Sequence, residues 1–166
     1  MIILGLDPGT AIVGWGIVDA VGNTTRCPGY GVITTDKSMT DSQRLLAIAN
    51  GVEKLLDEYK PELVSIEKLF FSKNVTTAMT VSQARGVLMY VCERQGIPIV
   101  SYTPNEVKLA LTGYGNADKS QMQKMVQLLL KLPTLPKPDD AADAVAIALI
   151  AAQTRSFDMK VSHSSK

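Results

Sequence analysis

From Ala144 to Ala152 the chain reads AVAIALIAA, nine residues in a row without a polar side chain. A helix that is apolar on every side is stable only when it is buried on every side, so this segment must lie between other layers of the molecule. Immediately before it, the run KPDDAADA places Asp139, Asp140 and Asp143 at the mouth of the buried helix. Helix capping accounts for part of this: Pro138 and Asp139 suit the free amides and the positive dipole of a helix start. Capping does not account for Asp143, one turn further in. At ~100° per residue Asp140 and Asp143 share a face, and Asp139 and Asp143, four apart, can also pair. The spacing therefore puts two acids on one face and leaves open which upstream acid accompanies Asp143.

The rest of the chain supplies a sheet. Ile2 to Leu6 is a continuously apolar run that ends at Asp7-Pro8-Gly9-Thr10, the pattern of a strand buried on both faces and closed by a turn. Strands over Ile12–Val18 and Tyr30–Thr35, separated by the Gly22-Asn23 turn signal, complete an antiparallel meander. Thr40 or Asp41 caps a helix through Tyr59, and Glu62 to Ile66 forms a short strand that delivers Glu67 at its end. A helix over Asn74–Gln95, a strand over Ile97–Val100, helices over Pro104–Leu111 and Lys119–Leu132, and a final helix from Asp139 to Thr154 follow.

This order predicts an α/β fold with a five-stranded mixed sheet, part meander and part parallel, flanked by helices. A right-handed crossover to the ELVSI strand sets it parallel to the first strand and brings Asp7 and Glu67 to the same edge, where open α/β sheets bind ligands. A chain of 166 residues with 46% hydrophobic content is predicted to be one domain over residues 1–155, with residues 156–166 as a flexible tail.

If the acids of the last helix meet that edge, four carboxylates converge and raise one another's pKa. Only cations make such a cluster tolerable. Oxygen ligands without His or Cys indicate Mg²⁺, with Mn²⁺ as substitute, and two such ions ~4 Å apart suit phosphodiester hydrolysis. Overall charge is silent on a partner, because 17 Lys and Arg balance 16 Asp and Glu. A local cluster is visible: Lys119, Lys124, Lys131 and Lys137 follow Asp118 with few acids between them, a pattern consistent with a DNA-facing surface. Cys27 and Cys92 lack metal spacing and read as reduced thiols of a cytosolic protein. MIILGLDPGT lacks a basic leader, and no window reaches the ~18 apolar residues of a membrane span.

GLDPGT, SIEKLFF, QARG, ADKSQMQKMVQLLLKLP and DDAADAVAIA, in that order and over nearly the whole chain, resemble the RuvC family of Holliday junction resolvases. The resemblance implies a ribonuclease H-like fold and a homodimer that makes two symmetric nicks in a four-way DNA junction, leaving 5′-phosphates. It implies catalytic, metal-holding roles for Asp7, Glu67, Asp140 and Asp143, and so favours Asp140 over Asp139, which matches no family role. It further implies two Mg²⁺ ions per subunit, active-site lysines at Lys108 and Lys119, and a junction-stacking aromatic at Phe70, with Phe71 directly after it. Lys124 extends the expected DNA-binding set, and the RuvA and RuvB branch-migration proteins are the implied partners. The apolar helix containing Thr77 to Tyr90 suits either burial in the monomer or a two-fold dimer interface.

Other readings make different demands. The actin and sugar-kinase ATPases share Asp-x-Gly-Thr after a first strand, but need two lobes and a second phosphate loop, which this chain lacks. The ribonuclease H-like group of ribosomal RNA processing carries basic residues where Thr10-Ala11-Ile12 stands here. A catalytically silent junction-binding module is expected to have lost at least one acid, and all four are present.

Overall fold

The computed structural model describes residues 1–22, 24–69 and 75–164, with residues 75–77 and 155–164 described through the backbone alone. Strands β1 (Ile2–Asp7), β2 (Ile12–Val21), β3 (Thr24–Thr34), β4 (Leu63–Glu67) and β5 (Ile99–Tyr102) form one sheet in the order β3-β2-β1-β4-β5. The meander β1-β2-β3 is antiparallel, and β4 and β5 run parallel to β1. Leu6 pairs with Ile66, so the next residues, Asp7 and Glu67, end their strands side by side.

Helices α1 (Asp41–Tyr59) and α2 (Val75–Arg94) cover one face, packing Ile48, Val52, Leu55, Ala84 and Leu88 on Leu4, Leu6 and Ile66. Helices α3 (Pro104–Thr112), α4 (Lys119–Leu129) and α5 (Asp139–Ser164) cover the other, where Val107, Met122 and Val126 share a core with Ile3, Val145 and Ile147. The helix starts follow side-chain chemistry. Thr40, Thr103 and Asp118 each cap a helix and close a reciprocal capping box with Gln43, Glu106 and Gln121.

The stretch 144–152 is buried throughout, as its composition requires. What lets it approach the sheet so closely is a set of glycines. A Cβ on Gly5 would lie 2.0 Å from the Ala144 carbonyl oxygen, one on Gly14 would lie 2.0 Å from the Asp140 carbonyl oxygen, and one on Gly16 would strike Val145. Gly5 and Gly16 are register partners, as are Asp7 and Gly14. The bare backbone at Gly14 thus seats Asp140 beside the rung that ends in Asp7. Gly5→Ala should lose ~3 kcal/mol or more in urea unfolding, because the intruding methyl meets rigid backbone; a loss under ~1 kcal/mol would mean that α5 can lift away freely.

Several boundaries differ from the sequence expectations. Strand β2 continues to Val21 and β3 begins at Thr24, six residues before Tyr30, despite Pro28. The proline is tolerated because β3 is an edge strand and the pairing shifts register there, with Ile17 opposite Gly29 and Asp19 opposite Arg26. Strand β5 starts after Ile97-Pro98, and α4 stops at Leu129 just before the left-handed Lys131. Helix α5 runs on to Ser164 instead of ending near Thr154, since neither Gly nor Pro interrupts it. Cys27 and Cys92 are both free thiols, as expected. Among the described residues no helix is long and apolar enough to cross a membrane.

Candidate active site

Two strand ends and one helix bring the acids together. Asp7 ends β1, Glu67 ends β4, and Asp140 and Asp143 lie in the first turns of α5 above them. Burial, with the nearby Glu67, Asp143 and Asp140 carboxylates, pushes the Asp7 carboxyl up to about 8. A hydrogen bond between the Asp7 and Glu67 carboxyls adds to this rise and favours the proton on Asp7. Glu67 is also raised, chiefly by burial, although the bond from Asp7 and the charge of Lys119 work the other way. Asp143 is raised by burial against the opposing pull of Lys119.

Lys119, the first residue of α4, places its Nζ 3.1 Å from Asp143 Oδ2 and 3.3 Å from Asp139 Oδ2. Burial opposes the lysine's charge, but these two carboxylates outweigh it and raise its pKa. Asp139 is exposed and also accepts from Gln123 Nε2 at 2.9 Å, which with Lys119 holds its carboxyl below the ordinary range. Asp139 thus lies in the first turn, where its charge suits the helix dipole as expected, but its side chain bonds Gln123 and Lys119. The Pro138 carbonyl accepts the first helical bonds, from the amides of Ala141 and Ala142, while the Asp139 side chain turns toward α4. Gln123 and Lys119, one turn apart on α4, hold it there. The spacing of Asp139 and Asp143 allowed a shared partner; that the partner would be Lys119 depended on where α4 packs.

A cleft of about 200 Å³ opens beside the acids, lined by Glu67, Asp143, Lys108 and Lys119 over an apolar floor that includes Val107, Met122 and Ile147. A second groove, lined by Gly9, Thr10, Arg44 and Asp140, lies on the Asp140 side. Lys124 is not part of either and faces a separate groove with Tyr114 and Leu128. Phe70 and Phe71 lie outside the described residues. Arg85, the arginine of QARG, has no role that the sequence indicates. It donates from Nε to the Glu67 carbonyl at 3.1 Å, a contact that no periodicity in the sequence could have indicated.

Among the described residues no three Asp, Glu, His or Cys side chains are already arranged to hold a metal ion. Lys119 pairs with Asp143, and Asp7 with Glu67. The donor chemistry nevertheless suits a hard cation. These are crowded, partly buried carboxylates with raised pKa values and no soft ligand among them.

The family described as crossover junction endodeoxyribonuclease RuvC matches residues 3–151 of this chain. The chain belongs to the RuvC family. A RuvC from Brevibacillus brevis is 52% identical over 157 residues, 95% of each chain, and one from a Roseiflexus species is 51% identical over 146 residues, 88% of this chain and 87% of that one. The solved structure of Thermus thermophilus RuvC in complex with a Holliday junction substrate superimposes with a TM-score of 0.90 at 33% identity, covering 95% of this chain and 96% of that one. The five-stranded mixed sheet expected from the strand order, and the ribonuclease H-like fold that the resemblance implied, are the RuvC architecture, and RuvC proteins are metal-dependent nucleases. Membership removes the single-lobe kinase reading.

Proposed function

We propose that this chain is a metal-dependent endonuclease that resolves four-way DNA junctions in recombination and repair, by two symmetric nicks that leave 5′-phosphates. The observation that carries the reading is the meeting of Asp7 and Glu67, at adjacent strand ends, with Asp140 and Asp143 on a helix seated on glycines. Asp7, Glu67, Asp140 and Asp143 are the residues that would hold two Mg²⁺ ions, with Mn²⁺ as substitute. When bound, the ions lower the pKa of an attacking water and stabilise the leaving oxygen. To hold the ions, Asp7 and Glu67 would need to be without the proton that burial favours on Asp7, and Asp143 would need to part from Lys119. Lys119 would then bind the scissile phosphate, a role supported by its position at a helix N-terminus and in the lining of the same cleft as Lys108.

A homodimer fits two symmetric nicks, and α2 offers a face for it. Met79 and Tyr90 are more than 60% exposed there, and the Cα of Gly86 between them looks onto open space. Phe70 as a stacking residue, Lys124 as a further DNA contact, RuvA and RuvB as partners and a cytosolic location complete the reading.

The direct test is a gel assay with Mg²⁺ that sets a mobile four-way junction beside linear duplex. Paired, symmetric nicks on the junction alone are expected; equal cutting of both would make the protein a general nuclease. Lys119→Ala should slow single-turnover cleavage ~100-fold, the usual cost of removing one charge-stabilising donor. A rate within ~3-fold of the parent would leave Lys119 as a mere counter-ion.

A further inference from the structure

Glu67 is the last residue of β4, and beyond it the chain leaves the sheet. A carboxylate at a strand end inherits its aim from the backbone, and the backbone there is free to twist unless both sides are held. On one side β5 holds it: Glu67 pairs with Tyr102, and the Lys68 amide donates to the Tyr102 carbonyl at 2.8 Å. On the other side stands Arg85. Its Nε donates to the Glu67 carbonyl at 3.1 Å, and the same guanidinium donates to Ser101 Oγ at 3.1 Å and to Met89 Sδ at 3.1 Å.

Arg85 is itself firmly placed. Ala84 and Leu88, the neighbouring residues on α2, have no exposed surface and lock the helix onto the core. Among the described residues Arg85 makes no ion pair with a carboxylate, so its planar fork is spent on a main-chain carbonyl, a strand hydroxyl and a thioether. The guanidinium therefore bridges the ends of β4 and β5 from the helix layer and fixes the carbonyl that lies directly after the Glu67 Cα.

The geometry points to Arg85 as a positioning residue that, through the Glu67 carbonyl and Ser101, aims the Glu67 carboxylate at the metal-holding cluster. This rests on the reading of Glu67 as a metal ligand. Partners behind the ligands of a metal site typically govern affinity or activity by 10–100-fold, and a displacement of ~1 Å at a reacting centre costs ~100-fold.

The experiment compares the full-length parent, Arg85→Ala, Arg85→Lys and Ser101→Ala in two measurements. The first is Mn²⁺ binding by paramagnetic resonance titration without DNA, and the second is single-turnover junction cleavage with junction affinity measured in Ca²⁺. Arg85→Ala should weaken Mn²⁺ binding ~10-fold and slow cleavage ~10–100-fold, with junction Kd within ~2-fold of the parent. Ser101→Ala should move both in the same direction by less, and Arg85→Lys, which keeps one donor for the carbonyl, should recover part of the loss. Should Arg85→Ala not fold, Ser101→Ala decides alone, since it leaves every backbone pairing in place.

Mn²⁺ affinity within ~2-fold of the parent in these variants would overturn the proposal. So would a weakened junction Kd with a salt dependence lowered by about one phosphate contact, which would make Arg85 a DNA ligand instead. If the parent binds Mn²⁺ but cuts no junction, the functional reading falls, and the Mn²⁺ affinities still decide the role of Arg85.

Discussion

In metal-free buffer at pH 8, Asp7→Asn should melt several degrees above the parent while cutting junction DNA at least ~1000-fold more slowly in Mg²⁺. The loss of cleavage follows from removing a carboxylate proposed to hold the ions, and the gain in stability from burial and neighbouring carboxylates, which hold the Asp7 carboxyl at about 8 against the ordinary 3.8. Between those values the unfolded chain releases a proton that the folded state keeps, so stability falls as pH rises from about 4 to about 8. Asparagine has no proton to release and escapes the penalty. Each pKa unit corresponds to ~1.4 kcal/mol; sharing of the proton with Glu67 and local solvation leave about 2–3 kcal/mol of relief, or ~5–10 °C in a chain of this size. The gain should shrink toward pH 5, where the parent pays little, and added Mg²⁺ should stabilise the parent more than the variant. Scanning calorimetry in chelator at the two pH values, beside the gel assay, checks the set. A variant that melts below the parent at pH 8 would mark Asp7 as a structural turn residue.

The second large effect separates neighbours in the sequence. Asp140→Asn should abolish cleavage, by ~1000-fold or more, with junction Kd in Ca²⁺ within ~3-fold of the parent, because charge is removed where the ions are to be held and not where DNA is gripped. Asp139→Asn should retain cleavage within ~5-fold, since its partners Lys119 and Gln123 meet it on a solvated surface. Single-turnover rates of the two variants, measured side by side, decide the matter. If Asp139→Asn were the dead variant, the acid that accompanies Asp143 would be the other of the two.

The contrast between those two aspartates shows how far the amino-acid order reaches. Spacing alone put Asp143 with either of them. The tertiary structure separates them through Gly14, whose missing Cβ seats the Asp140 backbone against the end of β1, and through α4, whose Lys119 and Gln123 draw Asp139 outward. Similarly, the sequence reading begins β3 at Tyr30, and only the position of β3 at the sheet edge makes the longer strand, with Pro28 inside it, tolerable.

What the sequence determined by itself was everything governed by local periodicity and composition. It set the buried last helix, the strand ends that carry Asp7 and Glu67, their parallel placement through a right-handed crossover, and the conclusion that crowded carboxylates need cations. The tertiary structure alone decided which groups share protons and charges across elements: Asp7 with Glu67, Lys119 between Asp139 and Asp143, and Arg85 on the Glu67 carbonyl. The reason is physical. Periodicity reports which way a side chain faces, whereas a hydrogen bond between residues 18 positions apart, as from Arg85 to Glu67, depends on how two layers pack to within ångströms.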